Sequence, residues 1–533
     1  MNKIRLLIVY CLLPIAYSLL PIGSIAQTAA SDGQKYASTI SRDDLKKHLT
    51  IVAGAEMEGR ETATPGQRKA AVYIESQFRE FGLKPPQGQD GYQQQFPLFK
   101  DSLVDVSLKI GNKKYEFAKD FVVSTFNDQD AEIKARQIIF VGYGITAMNY
   151  DDYAGKDVKG KIVVFFTGEP KANGKYLISG TDKPGQWTFP GTTAKIANAK
   201  QKGALAALVI NTGIDSFSNN MIDNAKKTPL YFPHAVTNEK EKINFATISR
   251  PLATDILGSN FSELLKKAKT GEVLNTVNYS VKQKTKFEFK KVKVPAISSN
   301  VIGYLEGTDK KDEFVFLTAH YDHLGKRGNV IYFGADDDGS GTVSVIEMAQ
   351  AFAKAKADGN GPRRTIVFMT VSGEEKGLWG SEYYSEHPLF PLDKTTVDLN
   401  TDMVGRIDPN RKVGDSTNYV YVIGDDKLSS DLKPISIATN TKYTNLELDY
   451  KFNDPADPEK IYTRSDHYNF AKKGVPIIFY FDGIHKDYHK PSDTVDKINF
   501  DLMEKRVQFI FLTAWDIANR DAMLKRDIPL PVE

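Results

Sequence analysis

Through the second half of the chain, short apolar runs alternate with segments of helical spacing. SNVIGYLEG, DEFVFLTAHYD, RTIVFMTVS, TTVDLNTDMV, YVYVIGD and GVPIIFYFDG read as strands. Gly341 to Ala357, Leu378 to Ser385, Leu428 to Thr439 and Phe500 to Asn519 carry the periodicity of helices. This order predicts an α/β sheet covered by helices on both faces.

Upstream, two amphipathic segments, Asp43 to Val52 and Pro65 to Phe81, flank the glycine-containing loop MEGRETATPG, and the second ends at Gly82. Gln94 to Phe126 alternates like exposed strands. From Ala131 the texture changes to short β-branched and aliphatic runs, ARQIIFVGYGI, GKIVVFF and GALAALVIN, with a helix predicted over Thr192 to Gly203 and turn-rich segments between. At 533 residues the chain is too long for one ordinary core. The expected division is a main domain over 40–130 and 285–525, interrupted by an inserted domain over 131–284.

Residues 1–26 have the make-up of a secretory signal. Lys3 and Arg5 precede an apolar stretch from Leu6 to Leu20, and Ser24-Ile25-Ala26 gives a small-x-small cleavage site. Pro14 and Pro21 interrupt the stretch, which argues against a membrane-spanning helix and for cleavage. The only cysteine, Cys11, lies inside this segment, so a cleaved chain has no disulfide and no thiol ligand. Export without disulfides suits a bacterial periplasm or secretion.

Charge changes the picture little. The formal net charge is +3, and losing Lys3 and Arg5 leaves about +1, so no basic field points to nucleic acid. No stable membrane insertion is expected once the signal is gone.

The chemistry lies at the ends of the predicted strands. His320 ends DEFVFLTAH, Glu375 follows TIVFMTVSG, Asp402 ends TTVDLNTD, and His489 follows GVPIIFYFDG after a short loop. In open α/β sheets, ligand sites gather at the carboxyl ends of strands. Asp337, in the triplet Asp336-Asp337-Asp338, has two oxygens able to bridge two cations. Two imidazoles and three carboxylates are the donor set of a site for two divalent ions. An EF-hand register fails here, because its first and twelfth positions fall on Gly334 and Val345. The pair Glu374-Glu375 divides the labour: one carboxylate binds metal, and the other stays free to move protons.

Asp322, two residues after His320, and Asp493, four after His489, are placed to orient the rings. His323, His467 and His485 read as structural or substrate-facing, and His48, His234 and His387 as surface residues. There is no H-E-x-x-H, no G-x-S-x-G and no usable cysteine, so thermolysin-like zinc and serine or cysteine nucleophile chemistry lack their signals.

TAHYDHLG, GADDDGSGT, VSGEEKGLWGS, NTDMVG and DYHKPSDT, in this order, resemble the M28 metallopeptidases, zinc aminopeptidases with two co-catalytic ions. The resemblance covers roughly Leu45 to Ala518. It implies a three-layer mixed sheet flanked by helices. One zinc would take His320 and Asp402, the other Glu375 and His489, with Asp337 bridging both. Glu374 would be the general acid/base, Tyr488 an oxyanion donor, and Ser465-Asp466-His467 a segment near the substrate pocket. FVGYGI, YDDYAGKDVKGKIVV and AKQKGALAALVI look like a protease-associated (PA) domain, a smaller β-rich α/β insert. Asp336 and Asp338 stand where the family often has Asn, and an extra carboxylate there could draw a further cation.

The expected activity is removal of N-terminal residues from peptides. A carboxypeptidase for acidic C-terminal residues would want converging arginines; Arg406 and Arg464 lie close to the motifs, but the sequence shows no arginine cluster there. A cyclising transferase would use one zinc, and a non-catalytic binding protein would have lost ligands.

Overall fold

The computed structural model describes residues 33–125, 128–189, 191–233 and 242–530, so the signal-like segment 1–26 and His234 lie outside the described residues. The chain forms two compact units. One comprises residues up to Gln94 together with Asn300 onward, and the other Gln95–Ser299.

After a short helix at Gly33–Ala37, the terminal unit continues with helix α1 (Arg42–Val52). Ser41 caps it by accepting the amide of Asp44, and Asp43 and Asp44 in its first turn suit the positive end of the helix dipole. Helix α2 (Pro65–Glu80) has Thr64 as its cap and proline in its first turn, where the missing N–H costs nothing.

In the middle unit, β1 (Phe121–Val123), β2 (Ile138–Phe140), β3 (Ile162–Phe166), β4 (Ala206–Ile210), β5 (Asn244–Ile248) and β6 (Ser280–Val281) pair in the order β6-β2-β3-β4-β5-β1. The four central strands are parallel, and β6 and β1 pair antiparallel at the edges. Helix α3 (Thr192–Gln201) precedes β4. This unit reaches further toward the N-terminus than the expected 131–284. The reason is packing: Leu108, Tyr115, Phe121 and Val123 are buried in the same cluster as Phe140, Val164 and Leu208.

Back in the terminal unit, the C-terminal part of β7 (Thr285–Leu305) pairs antiparallel with β9 (Arg364–Val371). Strand β9 runs parallel to β8 (Lys310–His320), β8 to β10 (Thr395–Thr401), and β10 to β13 (Ile477–Phe481). Strand β11 (Tyr419–Ile423) pairs antiparallel with β13 and parallel with β12 (Glu447–Asp449). Every residue of β9, β10, β11 and β13 is buried, the pattern of strands covered on both faces.

Helices α4 (Gly341–Ala357), α6 (Leu432–Tyr443) and α7 (Phe500–Asn519) supply one covering layer: Val345, Met348, Phe352, Leu432, Ile435, Phe509 and Trp515 share a core with Val315, Leu317 and Phe368. On the opposite face Tyr384, from α5 (Trp379–Glu386), and Phe470 pack with Phe316, Val367 and Met369. This is the mixed α/β sheet expected from the alternation. Because β8, β9, β10 and β13 are mutually parallel neighbours, their carboxyl ends open on one edge, where the loops carrying the predicted ligands begin.

Candidate metal centre

All five predicted ligands converge at that edge. His320 is the last residue of β8, and Asp402 follows β10 directly. Glu374 and Glu375 open a short turn after β9, and Asp337 lies in the loop leading into α4. His489 sits in the loop after β13 with a left-handed backbone, φ 56°.

Asp337 is at the centre. Its Oδ1 lies 3.3 Å from His320 Nε2, and its Oδ2 lies 3.1 Å from His489 Nε2. On the first side, His320 Nε2 is 3.6 Å from Asp402 Oδ1 and 3.8 Å from Glu374 Oε2. On the second side, His489 Nε2 is 3.1 Å from Glu375 Oε2. The carboxylate therefore faces a histidine–aspartate pair with one oxygen and a histidine–glutamate pair with the other.

His323 joins the second side, against its reading as structural. Its Nδ1 is 2.7 Å from Glu375 Oε1 and 3.7 Å from Asp337 Oδ2. The ring packs where a Cβ on Gly334 would stand, so only glycine at 334, with φ 56°, admits it. Position 323 lies beyond the strand end, and nothing in its spacing announced a ligand.

Asp336 and Asp338 are committed elsewhere. Asp338 Oδ1 accepts the amides of Gly341 at 2.8 Å and Met403 at 3.1 Å, and its Oδ2 the amide of His320 at 3.2 Å. Asp338 also lies within reach of His320 and Asp402, with these amides taking about three of its four lone-pair positions. Asp336 Oδ1 accepts the Gly405 amide at 2.7 Å, and Oδ2 is 3.2 Å from His485 Nε2.

The predicted orienting carboxylates act differently from expectation. His320 Nδ1 bonds the backbone oxygen of Asp322 at 3.1 Å, while the Asp322 carboxylate lies 3.7 Å away. That carboxylate instead accepts the Thr62 hydroxyl at 2.6 Å and the Glu374 amide at 3.2 Å. Asp493 does not serve His489. Its Oδ2 accepts the amides of Asp336 at 3.0 Å and Asp337 at 3.2 Å, fixing the loop that presents the central carboxylate. Asp466 accepts from Ser381 Oγ at 2.5 Å, and burial pushes its carboxyl up to about 7.

Two other histidines are structural. His467 is wholly buried with Nε2 2.8 Å from the Tyr462 carbonyl, and burial pushes its pKa down to about 3. His48, expected at the surface, is buried between Tyr73 (2.6 Å) and Glu347 (3.3 Å).

The electrostatics call for a cation. Asp337 Oδ2, Glu375 Oε1 and both ring nitrogens of His323 are buried without an aligned hydrogen-bond partner among the described residues. Uncompensated buried carboxylates and lone pairs facing one another are costly. The same carboxylates favour protonation of His320 and His489. Burial opposes protonation of His320, but Glu374 and Asp402 outweigh it and raise its pKa well above the usual range. Burial opposes it at His489 too, and Asp337 and Glu375 lift that ring to about 10. Burial would also raise Asp337, yet His323, His320 and His489 hold it well below the carboxylate range. Imidazole and carboxylate donors in this arrangement fit zinc and similar divalent ions.

Glu374 stands apart. Burial raises its carboxyl well above the usual value, with Asp402 and Glu375 adding to the rise against the pull of His320. It borders a partly open pocket lined by Asp337, Asp402, Arg464 and Tyr488, with Met403, Ile461, Phe479, Phe481 and Ile484 as the apolar wall. Tyr488 stacks on His489, ring centroids 3.9 Å apart, and its hydroxyl lies 3.3 Å from Arg464 Nη2.

Residues 300–514 match Peptidase family M28, and residues 132–243 match the PA domain. A probable leucine aminopeptidase of Arthroderma otae is 28% identical over 235 residues, covering 43% of this chain and 59% of that protein. A probable zinc metalloprotease of Pyrenophora teres f. teres is 25% identical over 305 residues, 49% of this chain and 60% of that protein. The chain thus spans 59% and 60% of these relatives' lengths. In fold, it is similar to an aminopeptidase from Aneurinibacillus sp. strain AM-1, with a TM-score of 0.50 and 20% identity over 94% of this chain and 100% of the other. The chain carries a peptidase domain of family M28, residues 300–514, and a PA domain, residues 132–243.

Proposed function

We propose that the protein is an exported aminopeptidase that binds two zinc ions per chain. The observation that carries this reading is the division of Asp337 between two sets of donors, one oxygen toward His320 and the other toward His489. His320 and Asp402 would hold one ion, Glu375 and His489 the other, with Asp337 shared and His323 beside the second. Zinc bound there supplies Lewis acidity and makes water a nucleophile at neutral pH.

The chain's own residues supply the rest. Glu374, beside the ligands and not needed to hold an ion, would take the proton of the attacking water and return it to the departing amine as the C–N bond breaks. The Tyr488 hydroxyl, kept protonated by burial and the surrounding carboxylates, donates to the carbonyl oxygen as negative charge develops. Met403, Ile461, Phe479, Phe481 and Ile484 receive a large apolar first side chain. That preference accords with the leucine aminopeptidase named among the relatives.

The arginines favour this over a carboxypeptidase. Arg406 is bound to Asp487 at 3.0 Å, which leaves Arg464, among the described residues, as the single arginine lining the pocket, so no pair converges on a substrate carboxylate. Export rests on the signal-like residues 1–26. Among the described residues, no helix is long and apolar enough to cross a membrane.

The test is hydrolysis of arylamides of leucine, phenylalanine, glycine and glutamate by the zinc-loaded chain, against peptides with blocked N-termini. Cleavage of the leucine and phenylalanine compounds, abolished by blocking, is expected. Cleavage of blocked peptides from the C-terminus would overturn the reading.

A further inference from the structure

The loop between α1 and α2 contains four residues that the chemistry above does not use. Gly59-Arg60-Glu61-Thr62 reaches three separate segments of the metal centre. We propose that this turn is the brace that sets the spacing of those segments, with Arg60 as its central positioning residue. The inference rests on the metal-site reading, because spacing matters only if those segments share ligands.

Arg60 is wholly buried. Its guanidinium donates to four backbone carbonyls: Nε to Tyr321 at 2.8 Å, Nη1 to Val52 and Phe333 at 2.8 Å each, and Nη2 to Gly334 at 2.9 Å. Tyr321 lies between His320 and Asp322, and Gly334 opens the loop that presents Asp337. Among the described residues no carboxylate lies within ion-pair distance of Arg60, although Asp322, Asp337, Asp338 and Asp493 surround it at longer range. A buried cation bound only to carbonyls is costly to keep. Its planar fork can tie several carbonyls in one fixed geometry, which a lysine ammonium cannot.

The neighbouring residues extend the brace. Thr62 Oγ1 donates to Asp322 Oδ2 at 2.6 Å, and Asp322 Oδ1 holds the amide of Glu374 at 3.2 Å. Glu61 takes Lys376 Nζ at 2.9 Å and Arg327 Nη1 at 2.9 Å. The Gly59 carbonyl accepts the Gly325 amide at 2.9 Å, and the Arg60 carbonyl accepts the His323 amide at 3.3 Å. A Cβ on Gly59 would collide with the carbonyls of Gly325 and Tyr332. The turn thus reaches segments 321–325, 332–334 and 374–376.

The backbone carries the signature of an imposed shape. Glu58, Gly59 and Arg60 take left-handed φ values of 51°, 70° and 52° in succession. Non-glycine residues hold such values only where surrounding structure over-determines them. The braced segments lie beyond the sheet's strands, so these hydrogen bonds fix their spacing where the ladder no longer does.

The test uses full-length protein carrying Arg60→Lys, Arg60→Met or Thr62→Val, with circular dichroism as the check on folding. In metal-free protein, Arg60→Lys is expected to speed amide exchange at least about tenfold in 320–325 and 332–338 and to leave β11 and α7 unchanged. Zinc affinity, measured by chelator competition, should fall about tenfold or more, in the range seen when groups supporting metal ligands are removed. The kcat for leucine arylamide should fall more than KM changes. Lysine that restores what methionine loses would show that charge, and not the fork, is what matters, and would overturn the proposal. So would Arg60→Lys exchange and zinc affinity equal to the parent's. Should Arg60→Met fail to fold, Arg60→Lys and Thr62→Val decide; for Thr62→Val, faster exchange at 374–376 is expected, and unchanged exchange counts against the brace. A parent that binds no zinc would refute the proposed function, and the exchange data would still judge the brace.

Discussion

In the middle unit, two buried ionisable groups, Asp152 and Lys195, are bound mainly to backbone. Asp152 accepts the amides of Tyr143 and Ile145 at 3.0 Å each and the Tyr150 hydroxyl at 2.8 Å. Lys195 donates to the carbonyls of Phe166, at 3.2 Å, and Gly168. In the peptidase unit the groups at the metal centre face one another instead, and several of their atoms have no aligned partner. Both units build a sheet with a parallel centre and both bury charge beside it. The difference is where the hydrogen bonds end. Groups that satisfy backbone hold loops in place, whereas groups that leave one another unsatisfied form a site that needs a ligand.

The sharpest way to break this contrast is Glu374→Gln. Loss of the proton carrier should lower kcat by about 10²–10⁴-fold, while zinc content stays that of the parent. Zinc lost together with activity would make Glu374 a ligand. Next is Asp337→Ala. Removing the carboxylate between the two sides should weaken zinc binding by more than about a hundredfold, above the effect of losing a supporting group, as read by chelator competition. Unchanged affinity would remove Asp337 from the centre.

A third test separates the units directly. Zinc at about a thousand times its Kd should stabilise the folded peptidase unit by about 4 kcal/mol. Hydrogen exchange should slow around 320–323 and 374–375 and stay unchanged in β3 and β4. Equal protection in both units would deny the contrast.

The smallest expected effect lies in the middle unit. Burial depresses Lys195 from 10.5 to about 7, against the opposing pull of Asp152 and Glu169. The unfolded chain therefore binds more protons than the folded one between those values. Stability should rise with pH across this window, by at most about 1.4 kcal/mol per pH unit. The cost is fully present below pH 7. Urea unfolding between pH 7.5 and 9.5 should show this slope in the parent and a flatter one in Lys195→Met. An equal slope in both would place the titration elsewhere.

What could be read in the sequence follows from the same contrast. His320, Glu375, Asp402 and His489 were legible because apolar runs announce the strands and the residues stand at their ends. Asp337 and Glu374 were legible as members of acidic groups beside them. His323 was not, because its place depends on the space left by Gly334 in another loop. The tasks of Asp322 and Asp493 were misjudged because spacing along the chain suggested a ring partner, whereas folding delivered backbone amides and the hydroxyl of Thr62. Arg60 acts on carbonyls more than 250 positions away, beyond any local pattern. Alternation in 94–126 identified strands but not the sheet that β1 joins.

The most direct test of the central claim is the number of zinc ions per chain, measured by elemental analysis of the purified protein after equilibration in a zinc buffer. Two ions per chain in the parent, with binding lost in Asp337→Ala, is the predicted result. One ion per chain, or two that remain tightly bound in Asp337→Ala, would contradict a centre organised around that carboxylate.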